Sequence, residues 1–288
     1  MIVGICGEAG SGKDATADFL VKSHGFSKIA LADPLKRICQ NVYGFSDDQL
    51  WGPSWQRNKP DRRWEHGAQG YRDAALREFG NGQGRAQKLL AEGQDWQRDT
   101  IVETLFQTAA LYASEGWLTP RFALQRLGTE WGRTCSPNTW TSYALRVCDQ
   151  LQTGDYIYDA RGGVRPLVGV GDLMHGKTDV IISDLRYKHE IEEVRAAGGK
   201  VVRIVRKERP ATPAVNDTLK TVPGDLWELL ENGEFWKTLN ATTATHSSET
   251  EQKTLPDELF DHHIINGGND LSLLEATVAG LAETLRST

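Results

Sequence analysis

Ile2-Val3-Gly4-Ile5-Cys6-Gly7-Glu8-Ala9-Gly10-Ser11-Gly12-Lys13-Asp14-Ala15 is the stretch that decides the fold. Met1 to Cys6 is a short apolar run rich in β-branched residues. It meets a glycine-rich loop and then a helical pattern with Ala15, Phe19 and Leu20 on one side. Strand, glycine loop and helix in that order open a βαβ unit.

Within the stretch, Gly7-x-x-x-x-Gly12-Lys13 carries chemistry. Glycines let backbone N–H groups turn inward around phosphate oxygens where side chains would collide. The helix beginning at Lys13 adds the positive end of its dipole, and the lysine reaches the β- and γ-phosphates. Gly7, Gly10, Gly12, Lys13, Asp14 and Ala15 are therefore the candidate ATP-binding residues, with Lys13 also catalytic. The usual pattern ends in Ser or Thr, whose hydroxyl binds Mg²⁺. Asp14 stands there instead, a departure from the usual metal geometry, although an aspartate can still hold a hydrated magnesium ion. The bland alternative is a glycine turn that matches by chance.

Further along, strands are expected at Ser27 to Leu31, Asp179 to Ser183, Lys200 to Val205 and His262 to Asn266. Helices are expected through Leu35, Ile38 and Val42, through Ile191 and Val194, and through Leu271, Leu274, Val278, Leu281 and Leu285. Such alternation implies an α/β fold, a P-loop three-layer sandwich with a parallel sheet covered on both faces. Residues 46 to 118 are polar and tryptophan-rich, with Trp51, Trp55, Trp64, Trp96 and Trp117 and a Gly80 to Gly84 break. They read as a helical insertion in a single domain spanning 1–288. Ser46 with Gln49 forms a capping-box signature, as do Asp225 and Glu228, and Thr119-Pro120 marks a helix that ends at Gly128. Residues 151 to 178 read as a hairpin or loop.

The 288 residues carry a formal net charge of −6, with 39% hydrophobic and 25% charged residues. That balance fits a globular protein and argues against a broad electrostatic grip on nucleic-acid polymers. Cys6, Cys39, Cys135 and Cys148 are scattered, which fits buried reduced thiols better than disulfides or zinc. His262-His263 would point to opposite faces of a strand and so reads as structural. The N-terminus has no signal-peptide pattern and no apolar run is long enough to span a bilayer, so a cytoplasmic protein is expected.

Several further motifs recur in order. They are Gly12-Lys13-Asp14, Ala32-Asp33-Pro34-Leu35-Lys36, Leu124-Gln125-x-Leu127-Gly128-Thr129-Glu130, Ser183-Asp184-x-Arg186-Tyr187-x-x-Glu190, His246-Ser247-Ser248-Glu249 and Asn266-Gly267-Gly268. Together they resemble the deoxynucleoside monophosphate kinases of tailed bacteriophages, from residue 2 to about 285. The Gly-Lys-Asp ending resembles that family's own version of the loop.

The resemblance implies transfer of the γ-phosphate of ATP to a deoxynucleoside monophosphate, with Mg²⁺ as cofactor and more than one base accepted. It implies a nucleoside-monophosphate-binding insertion at about 46–150 and a lid-like segment at about 206–256. Lys36 and Arg37 would meet the acceptor phosphate, the alternative being a solvated helix face. Arg121 and Gln125, four apart on one helix face, would meet phosphate and base. Thr129 and Trp140 resemble base-contacting positions, with core packing the rival role for Trp140 and a Glu130–Arg133 ion pair a further alternative.

Asp184, at the end of a parallel strand, is a candidate for magnesium or its water shell, with Arg186 beside it as a catalytic cation. Capping the next helix is the alternative for Asp184. Arg206, with Lys207 and Arg209, resembles the start of a lid, although a solvated charge run explains them nearly as well. Asn266 resembles the loop lining the adenine pocket. Two other classes stay open: another P-loop small-molecule kinase, acting on dephospho-coenzyme A or a nucleoside, and a non-kinase P-loop ATPase. No nucleic-acid polymer or membrane partner is expected, and a homodimer is left open.

Overall fold

The computed structural model describes residues 1–8, 10–59, 61, 63–64, 118–167, 178–207, 252, 254–267 and 271–287. The Asp225–Glu228 cap, Trp96, Trp117, Gly80 to Gly84, Arg209, most of the 206–256 lid and the His246 to Glu249 motif lie outside the described residues.

Five strands form one parallel sheet: β1 (Ile2–Cys6), β2 (Ser27–Ile29), β5 (Val180–Leu185), β6 (Lys200–Arg206) and β7 (His262–Asn266). Their spatial order is β2-β5-β1-β6-β7. A separate antiparallel hairpin joins β3 (Tyr156–Asp159) to β4 (Gly163–Pro166), with Tyr158 opposite Val164. This is the hairpin alternative of the sequence reading.

Alternating registers explain the two covered faces. Val3 and Ile5 on β1, Val202 and Ile204 on β6 and Ile264 on β7 face one side. There they pack with Ala17 and Leu20 of helix α1 (Lys13–His24) and with Leu274, Val278, Leu281 and Leu285 of the C-terminal helix α7 (Leu271–Ser287). Each such buried aliphatic side chain contributes roughly 1.5–3 kcal/mol. On the other side of β1, space beside Gly4 is filled by Leu185, Val194 and Val201, which brings helix α6 (Lys188–Ala196) against the sheet. A parallel sheet between two helical layers is the three-layer α/β sandwich expected from the sequence.

Two apolar faces differ from expectation. Leu271 opens the last helix but is exposed, because the buried face starts one turn later at Leu274. Helix α2 (Asp33–Tyr43) buries Leu35 and Cys39 and leaves Ile38 and Val42 exposed. The true inward stripe is i, i+4 from Leu35, and it includes a cysteine that behaves as a small hydrophobe.

The chain divides into two compact units. The first holds Met1–Ile38, Leu127–Pro210 and Thr245–Thr288, and thus the whole parallel sheet. The second holds Cys39–Arg126 and Ala211–Ala244. In it, Ser46 and Gln49 form the expected capping box at helix α3 (Asp47–Leu50). Thr119 caps helix α4 (Pro120–Gln125), its Oγ1 accepting from Phe122 N–H at 3.1 Å, with Pro120 in the first turn. The expected end at Gly128 is corrected: the chain continues from Arg126 to Arg133 as a π-helix. Helix α5 (Thr139–Thr153) follows, one that the sequence reading left unassigned.

Among the described residues no helix is long and apolar enough to cross a membrane. Cys6, Cys39 and Cys148 are buried, and burial pushes their thiols up to about 11, 12 and 12, while Cys135 is exposed.

Candidate functional site

The loop after β1 stands at the point where the sheet reverses its winding. The chain leaves β1 toward β2 on one side and later crosses from β5 to β6 on the other. Open parallel sheets bind ligands at such a point, beyond the carboxyl ends of the strands.

Gly10 and Gly12 adopt positive φ of 76° and 100°, a region open to glycine at no steric cost. At Gly12 a second demand acts: an added Cβ would lie 2.6 Å from Asn266 Nδ2. The loop is also braced from outside. Asn266 Nδ2 donates to Ser11 O at 3.0 Å, and Arg206 Nη1 donates to Gly10 O at 3.1 Å. With those carbonyls held outward, the helix start at Lys13 and Asp14 offers backbone N–H groups with no intrahelical partner. Such a cradle fits phosphate. Gly7, Gly10, Gly12, Lys13, Asp14, Ala15, Arg206 and Asn266 therefore cluster at or against one loop, although Ala15 packs on the core.

Asp14 is 72% exposed, with Lys28 Nζ at 3.9 Å. It projects from the first turn of α1 into solvent, where a hydrated magnesium ion fits. Among the described residues no three His, Cys, Asp or Glu side chains gather to hold a metal ion. Magnesium suits such a place, since it keeps several waters and uses one or two carboxylates plus substrate phosphates.

Asp184 has a different placement. Its Oδ1 accepts from Leu31 N–H at 2.7 Å and its Oδ2 from Ala32 N–H at 3.4 Å. It is the penultimate residue of β5 and does not cap the next helix, where Tyr187 takes that position. The carboxylate therefore takes the Leu31 and Ala32 N–H groups just beyond the end of β2.

Asp33, within the next motif, shares this design. Its Oδ2 accepts from Ala30 N–H at 3.0 Å and from the Tyr158 hydroxyl at 2.9 Å, and Lys36 Nζ lies 3.7 Å from Oδ1. Burial pushes the Asp33 carboxyl above the usual aspartate range, against the pull of Lys36. Burial likewise pushes the Tyr158 phenol well above its ordinary value. Arg37 is engaged on all sides: it donates to Tyr143 Oη at 2.6 Å, to Ala160 O at 2.8 Å and to Tyr158 Oη at 3.4 Å. Of the two basic candidates on α2, Arg37 docks the β3–β4 hairpin, while Lys36 sits beside a carboxylate.

Trp140 is 6% exposed, and its indole N–H donates to Gly128 O at 2.8 Å. Of its two candidate roles, packing is the one this geometry displays. Thr129 Oγ1 accepts from Arg133 Nη1 at 3.2 Å. Arg133 meets the Glu190 carboxylate at 2.9 Å, while the side chain of Glu130 lies outside the described residues. Arg186 is half-buried in the link between β5 and α6, its backbone N–H donating to Glu190. In the second unit Arg121 bonds Asn58 Oδ1 through Nε and Ser54 Oγ at 3.0 Å, and Gln125 is half-buried on the same helix.

Sequence reasoning missed Tyr143, Tyr158 and Glu190 as parts of this arrangement. Only Glu190 left a trace, as the last member of a quoted motif with no role assigned. The tyrosines lie more than 100 residues from their partners, and no local spacing signals them.

No family model matches the chain. Over 206 residues, 72% of this chain and 74% of the other, it is 24% identical to a protein of Acanthamoeba polyphaga mimivirus named "Putative deoxynucleotide monophosphate kinase". That relative comes from a mimivirus, not from a tailed phage.

Proposed function

We propose that this chain is a nucleotide kinase that transfers the γ-phosphate of ATP to a deoxynucleoside monophosphate, giving the diphosphate. The observation that carries the reading is the glycine loop at the sheet's switch point, with two carbonyls held outward by Arg206 and Asn266 and Lys13 opening the helix behind it. Similarity to a mimivirus protein bearing a deoxynucleotide kinase name supports the acceptor class.

In this reading the loop N–H groups and Lys13 bind the triphosphate and stabilise charge as the phosphoryl group moves. Asp14, and Asp184 through water, would hold Mg²⁺, which would supply further charge neutralisation. Arg186 and Arg206 add positive charge at the strand ends. The acceptor-side candidates are Lys36, Thr129 and Trp140 in the first unit and Arg121 and Gln125 in the second. The acceptor already presents an anionic oxygen, so positioning replaces a general base. In chain terms this is one kinase domain with a substrate-binding insertion at about 46–150 and a lid at about 206–256.

A phosphoryl-transfer assay across deoxy- and ribonucleoside monophosphates tests the reading, with dephospho-coenzyme A, nucleosides and DNA-stimulated hydrolysis alongside. Deoxynucleoside monophosphates should have the highest kcat/KM, with more than one base accepted. Discrimination against an added hydroxyl by shape alone is about a hundredfold. Activity confined to a different acceptor, or hydrolysis stimulated only by DNA, overturns it.

A further inference from the structure

Glu190 is almost wholly buried, at 1% exposure. Three donors converge on its carboxylate. Arg186 N–H and Tyr187 N–H reach Oε2 at 2.8 and 3.2 Å, and Arg133 Nη2 reaches Oε1 at 2.9 Å. The Arg133 guanidinium also lies over the Tyr187 ring, 4.2 Å from its centre, and its Nη1 donates to Thr129 Oγ1. A helix-capping glutamate needs only the nearby N–H groups and can stay in water. This one is buried and carries an arginine from a segment 57 residues away.

The segment it carries is the π-helix. π-Turns are rare and occur mostly at functional sites. Here Thr129 and Arg133 lie on it, and Glu190 fastens it to the strand end that bears Asp184 and Arg186. A buried charge pair holds two elements in one geometry, since removing either partner strands the other charge away from water.

We propose that Glu190, acting through Arg133, is a positioning residue: it locks the Thr129–Arg133 segment to the Arg186 backbone so that acceptor-side and phosphate-side groups stay in register during transfer. The proposal rests on the kinase reading above, but its link is a property of the free protein.

Two measurements test it. Amide hydrogen exchange on free Arg133→Ala should accelerate exchange at Arg186 and Tyr187, whose N–H groups do not touch the mutated residue. Kinetics of Glu190→Gln, below its melting temperature, should show kcat reduced about ten- to hundredfold with KM for ATP within about twofold. The Glu190→Gln/Arg133→Ala double variant should be no worse than the more damaged single one. Unchanged exchange at Arg186 and Tyr187 in Arg133→Ala overturns the link whatever the reaction is. Accelerated exchange with wild-type kcat in Glu190→Gln overturns the positioning role and leaves a purely structural one. If the wild type phosphorylates no monophosphate, the acceptor assignment fails separately, and the same kcat comparison is read on its ATP turnover.

Discussion

The indole N–H of Trp140 donates to the carbonyl oxygen of Gly128 at 2.8 Å, and the ring lies where any side chain at position 132 would have to go. A Cβ on Gly132 would sit 2.2 Å from the indole. The π-helical segment therefore rests on this tryptophan through two glycines.

Trp140→Phe should lower stability by roughly 1–3 kcal/mol, because it leaves a buried carbonyl without its donor. Gly132→Ala should cost a similar roughly 1–3 kcal/mol by overpacking. Thermal melts check both. A Trp140→Phe melt identical to wild type, paired with a raised KM for the monophosphate, would restore the base-stacking role.

Lys13→Ala should reduce kcat by at least about 10²–10³-fold, the scale for removing one charge-stabilising group. The residue opens a helix at a partly exposed loop, so the melting temperature should barely move. Near-normal turnover would sink the loop as the catalytic centre.

Asp14→Asn should shift the magnesium titration of activity to higher concentration while ATP binding stays nearly normal. Exposure of the carboxylate makes a structural effect small. An unchanged titration curve would leave Asp14 as a helix-start residue beside Lys28.

Arg121→Ala should raise KM for the monophosphate more than tenfold, the scale of one charge-assisted contact of about 1.5–3 kcal/mol, with ATP affinity unchanged. Its bonds to Asn58 and Ser54 offer the competing outcome, a lower melting temperature with KM intact. Loss of ATP binding would move Arg121 to the donor side.

Asp33→Asn should change how stability varies with pH. Burial raises the Asp33 carboxyl in the folded state. A group whose folded pKa lies above its unfolded one favours folding fully below the unfolded value, and that benefit is lost as pH rises through the folded value. Relative to the non-titrating variant, wild type should lose stability as pH climbs above the ordinary aspartate value of 3.8. Paired melts across that window check it. A difference that stays flat or grows with pH would contradict the assigned direction.

Local patterns sufficed where the signal was local. The strand before Gly7, the helix after Gly12, β7 at His262–Asn266, the Ser46–Gln49 box and the Thr119 cap all left their signal in neighbours within four residues. Parallel pairing followed from strands alternating with helices. Tertiary contact alone decided what the polar candidates do. Arg37 meets Tyr143 across 106 residues and Asp33 meets Tyr158 across 125, so a helix-face reading could not assign either. The same holds for Trp140, which becomes core because Gly128 and Gly132 bring backbone against it, and for Glu190, which exchanges water for three converging donors. A buried polar group must find its partners wherever the fold supplies them, and that supply is a property of packing, not of spacing along the chain.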